Sequence, residues 1–80
     1  MRLEFFTTRP TLATLLFARD HTGRRAVNPW RPERPAWLFI YTETLAADVM
    51  EYYHSIGKPL PQSLLYCMEK QVEGRERKND

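Results

Sequence analysis

Eighty residues make one domain and exclude two, and 42% apolar content with four Phe, four Tyr and two Trp excludes a disordered chain. The single cysteine, Cys67, excludes an internal disulfide framework and points to a reducing compartment. No apolar run approaches the ~20 residues needed to cross a bilayer, and Met1-Arg2-Leu3-Glu4-Phe5 lacks the apolar stretch of a secretory leader, so a cytoplasmic protein without membrane attachment is expected.

In chain order, residues 2–7 read as a short strand, with Leu3 and Phe5 alternating with Glu4. Thr8 is placed to cap a helix that Pro10 opens. Leu12, Leu15, Leu16 and Ala18 give that helix its stripe, and Asp20-His21-Thr22-Gly23 ends it, with Gly23 free to take positive φ. Residues 24–30 form a weaker strand. Arg31-Pro32-Glu33-Arg34-Pro35 breaks regular structure. Residues 36–42 are the clearest strand. Apolar side chains on both its faces suit a central position or cover on both sides. The two middle strands are expected to pair as a hairpin with a proline-rich tip.

Thr42 or Thr44 caps a second helix carrying Leu45, Val49, Tyr52 or Tyr53, and Ile56, and Gly57 stops it. Pro61 opens a third helix, with Leu64, Leu65, Met68 and Val72 as its buried face. The expected domain is 1–73, followed by a polar tail, 74–80, that frays. The order β-α-β-β-α-α predicts a small two-layer α+β domain: a three-stranded antiparallel or mixed sheet with helices on one face.

No reactive constellation appears. His21, His54 and Cys67 do not have the spacing of a metal site, so no metal and no cofactor is expected. Cys67, beside Leu64, Leu65 and Met68, reads as a small buried hydrophobe. Capping explains Ser55 and Ser63, and Asp48 with Glu51 reads as a solvated helix face. Three glycines are too few for a phosphate loop or dinucleotide fingerprint. An enzyme is therefore not expected.

The charge is uneven. Residues 1–42 carry +4, all of the positive charge from seven arginines, and residues 43–80 carry −2. Arg24, Arg25, Trp30, Arg31 and Arg34 fall in or beside the hairpin, and Arg and Trp are the residues that dominate interface hot spots. Tyr52 is a second candidate contact, since a helix cannot bury Tyr52, Tyr53 and His54 together. The same set suits a protein partner, a nucleic acid or nucleotide, or a plain solvated rim. The overall charge of +2 is low for a general nucleic-acid binder. An exposed strand edge leaves a homodimer open.

Phe5-Phe6-Thr7-Thr8-Arg9, Leu12-Ala13-x-Leu15-Leu16, Leu38-Phe39-Ile40-Tyr41, Tyr52-Tyr53 and Pro61-x-x-Leu64 together resemble a family of small uncharacterised proteins of phages and integrative elements. The resemblance covers residues 3 to about 72. It departs at the Asn28-to-Pro35 segment, which is longer and richer in proline than a simple turn. The resemblance implies a mobile-element accessory protein in the host cytoplasm. Such a protein would bind and inhibit a host protein or ribonucleoprotein complex, CRISPR–Cas and other defence systems included.

Overall fold

The computed structural model describes residues 2–78. Its elements are β1 (Glu4–Thr7), α1 (Pro10–Ala18), β2 (Gly23–Val27), β3 (Pro35–Ile40), α2 (Glu43–Ser55) and α3 (Gln62–Lys78). This is the small α+β architecture read from the sequence, and the sheet is wholly antiparallel in the order β1-β3-β2. The strand with two apolar faces, β3, is the central one. The third helix passes the expected domain boundary at residue 73 and runs to Lys78, and Asn79 and Asp80 of the tail lie outside the described residues.

Register decides which side chains meet. Phe5 and Gly23 both oppose Phe39, and Thr7 and Arg25 both oppose Trp37. These rows share one face, because strand side chains alternate. The helices cover that face. Phe5 and Phe39 are fully buried with Leu12, Leu16, Leu45, Val49, Leu64 and Cys67. Phe17 packs on Phe39 at 4.8 Å between ring centroids. The opposite face carries Phe6, Leu38 and Ile40, all only half-buried, beside Arg24 and Glu4.

Gly23 has a role other than the expected one. Its φ is not positive; Asp20 turns the chain instead, at φ 64°. Gly23 begins β2, and a Cβ there would lie 2.5 Å from Cδ1 of Phe39. Only glycine lets the strand pass over that buried ring.

Local expectations are corrected at α1 and α3 and resolved at α2. Arg9, not Thr8, occupies the N-cap of α1 and makes no side-chain cap; Thr7 Oγ1 accepts the Arg9 N–H at 3.2 Å. Thr42 rather than Thr44 caps α2, accepting from the Leu45 N–H at 3.0 Å. Gly57, at φ 68°, does end that helix. Among the described side chains of α3, Leu64 and Cys67 are buried and Met68 is half-buried against the core, while Leu65 and Val72 are exposed.

Ser63 does more than start a helix. Its Oγ accepts the Phe6 N–H at 2.8 Å, and four residues on the Cys67 thiol donates to the Glu4 carbonyl at 3.3 Å. Phe6 and Glu4 sit on alternate positions of β1, so these groups point away from β3. One face of α3 thus seals the β1 edge, which would otherwise present unpaired donors and acceptors. The other edge, β2, is open. Ile40 N–H donates to the Thr22 carbonyl, which by alternation leaves the amides of Gly23, Arg25 and Val27 facing outward.

Candidate functional site

The seven residues from Asn28 to Arg34 join β2 to β3. Asn28 organises them. It is only 5% exposed, and its Oδ1 accepts the backbone N–H groups of Trp30 (3.0 Å) and Arg31 (3.1 Å). The two donors identify that end of the amide as oxygen. Asn28 itself is among the residues lining the groove described below. Beyond Asn28, the Arg34 N–H closes a turn on the Arg31 carbonyl at 2.9 Å. Pro32 suits the first central position of such a turn, and the closure brings Arg31 and Arg34 side by side.

The loop projects Trp30 at 76% exposure. Its ring is braced edge-on by Phe6, 6.0 Å away, so the indole is held while one large apolar surface faces solvent. A groove of about 770 Å³ lies between this loop, the start of α1 and the α2–α3 link. Phe6, Pro10, Pro35 and Pro61 form apolar walls, and Arg9, Arg31 and Arg34 also line it. Arg9 lies over the ring of Tyr53 at 5.4 Å, a cation–π contact that positions the guanidinium without neutralising it. Among the described residues no carboxylate lies within ion-pairing distance of Arg9, Arg31 or Arg34.

The groove therefore unites three of the residues singled out from sequence: Trp30, Arg31 and Arg34. Arg24 and Arg25 stand outside it, on opposite faces of β2. Arg24 lies on the open sheet face, 3.4 Å from Glu4. Arg25 stacks over the half-buried Trp37 at 5.6 Å. Tyr52 is elsewhere. Its hydroxyl hydrogen-bonds Thr11 Oγ1 at 2.7 Å and its ring packs edge-on to Tyr53, so it ties α1 to α2 and offers little free surface. The exposed member of the Tyr52-Tyr53-His54 run is His54. Sequence reasoning missed Arg9, Asn28 and Tyr53. Asn28-Pro29 did carry a turn signal that could have found Asn28, because Asn caps its own following amides. Nothing local connects Arg9 to a loop twenty residues away.

A second polar cluster joins the α1–β2 turn to α2. Asp48 accepts from Arg19 Nη1 at 2.6 Å and lies 2.7 Å from His21 Nε2, with Glu51 3.5 Å from the same guanidinium. Asp48 is thus a largely buried, ion-paired carboxylate in place of the solvated one expected, Glu51 stays on the solvated face at 70% side-chain exposure, and His21 is more than a turn residue. The His21 hydrogen bond, and then Arg19, hold the Asp48 carboxyl below its ordinary range, although partial burial works against them. No hydrogen bond links His21, His54 and Cys67 to one another, and burial pushes the Cys67 thiol pKa up, away from the reactive thiolate. Among the described residues no three His, Cys, Asp or Glu side chains group as metal ligands. No described helix is long and apolar enough to cross a membrane.

No family model, curated protein or solved structure matches the chain. The site brings three guanidiniums, with no carboxylate partner among the described residues, to apolar walls beside an exposed indole.

Proposed function

We propose that this protein is a non-enzymatic accessory protein of phage or mobile-element type. It works by seating the Trp30–Arg31–Arg34 corner on a functional surface of a host protein or ribonucleoprotein complex, a defence system such as CRISPR–Cas among the candidates, and so inhibits it. The observation that carries this reading is the exposed indole, whose ring meets Phe6 edge-on and whose backbone N–H is tied to Asn28. An ordered aromatic gives up little conformational entropy on binding, and Trp with Arg is the pairing most enriched among residues that dominate interfaces. The phage or mobile-element setting rests on the sequence resemblance alone.

The test is affinity capture from bacterial lysate at physiological salt, with wild type and Trp30→Ala compared in parallel. A stoichiometric partner should be retained by wild type and lost by the variant, because truncating a true anchor costs about 2 kcal/mol or more. No stoichiometric partner, or one held equally by both proteins, would refute the proposal.

The unpaired guanidiniums also favour a second reading, binding of a nucleic acid or of a nucleotide signal that the protein sequesters. It requires affinity that falls steeply as salt rises. A flat salt response would remove it.

A further inference from the structure

We propose that the groove beside Trp30 receives an acidic, extended peptide segment of the partner, with carboxylates on Arg9, Arg31 and Arg34 and one bulky apolar side chain against the Phe6–Trp30 wall. This rests on the protein-binding reading and adds the partner's chemistry to it.

Charge complementarity carries the argument. Three guanidiniums share one groove and none meets a carboxylate among the described residues, whereas Arg19, Arg24 and Lys70 each do. Asn28, 5% exposed, also lines this groove and holds its loop in shape through the Trp30 and Arg31 amides. Every charged group lining this space is a guanidinium, while Thr7, Thr8 and Ser63 add hydroxyls that donate or accept. A negatively charged ligand complements that charge, and guanidinium forks bind carboxylates in bidentate fashion.

The walls separate a peptide from a nucleic acid. Stacking successive bases needs several exposed aromatic faces. Here Trp30 alone is open: Phe6 meets it edge-on and half-buried, and Tyr53 is covered by Arg9. On the open sheet face Arg24 is paired with Glu4, and Arg25, on the opposite face, lies over Trp37. Apolar walls rimmed by cations match a hydrophobic side chain flanked by Asp or Glu.

The experiment selects displayed random short peptides on the intact protein and measures the winners by fluorescence anisotropy, with oligouridylate as the competing probe. Selected peptides should be enriched in Asp and Glu around a bulky apolar residue. Arg31→Gln and Arg34→Gln should each weaken them about tenfold, the loss expected for one charged hydrogen-bonding group. Arg31→Lys should recover only part of that loss, because an ammonium lacks the planar fork. Thermal melts confirm that each variant is folded. Peptides without acidic enrichment, no selected peptide at all, affinities untouched by the arginine variants, or oligouridylate binding more tightly than the best peptide would each overturn the inference. A partner captured from lysate through Trp30 but indifferent to all three arginines would overturn it while leaving the protein-binding reading standing.

Discussion

Asn28 offers the sharpest test of the site, because two substitutions there separate loop order from groove charge. Asn28→Ala removes the acceptor of two hydrogen bonds, to the Trp30 and Arg31 amides. Each such bond contributes about 1 kcal/mol net, so the loss should be about 2 kcal/mol. A domain of this size has only about 4–12 kcal/mol in total. At roughly 4–8 °C per kcal/mol, the melting temperature should fall by about 10 °C. Amide exchange at Trp30 and Arg31 should accelerate by about tenfold or more as the loop loosens. Asn28→Asp keeps the shape and the acceptor and places a negative charge among three arginines. Charge-assisted hydrogen bonds offset the cost of burying it, so the melting temperature should stay within a few degrees of wild type at neutral pH. The introduced carboxyl would be held below its ordinary pKa by those arginines and amides. Its contribution is thus present above the ordinary carboxylate range and lost on acidification through the lower folded value. Acidic peptides should no longer bind. Differential scanning fluorimetry, amide exchange and anisotropy read the three quantities. If Asn28→Ala melts with wild type and its Trp30 and Arg31 amides remain protected, Asn28 does not hold the loop and the rigid-indole argument fails.

Other consequences follow from packing and charge. Gly23→Ala should destabilise by about 1–3 kcal/mol in urea unfolding, because its Cβ meets the fully buried Phe39 ring at 2.5 Å. An unchanged midpoint would show that the ring moves aside freely. Asp48, held below its ordinary 3.8 by His21 and Arg19, contributes stability that is present above that value and lost as pH falls through the lower folded one. Asp48→Asn should therefore flatten the acid limb of a stability-against-pH curve, and a parallel curve would contradict the assignment. Cys67, fully buried and with its thiol pKa pushed up, should resist iodoacetamide in buffer and react once urea unfolds the chain. Fast alkylation of the native protein would mean that α3 opens off the β1 edge.

Much of the architecture is readable because it rests on short-range periodicity and punctuation. Two apolar faces on one strand marked β3 as central or covered on both sides, and the sheet order makes it central. Gly57 and Thr42 bounded α2 by conformational preference and capping. Cys67 in an apolar stripe read as core. Errors came where a residue's partner lies far along the chain. Ser63 looked like a helix-start residue and instead seals an edge strand 57 residues away. Gly23 looked like a turn glycine and instead makes room for Phe39.

The amino-acid sequence alone determined the element order, the α+β class, the thin aromatic core and the concentration of arginine and tryptophan around the middle strands. These depend on local propensity, period and composition, each acting within a few residues. Tertiary structure alone decided which arginines act together. Strand alternation sent Arg24 and Arg25 to opposite faces of one sheet, and the closure of β1 onto β3 brought Arg9 to the Asn28 loop. Such a juxtaposition is fixed by register and packing between distant segments, and no window along the chain contains it.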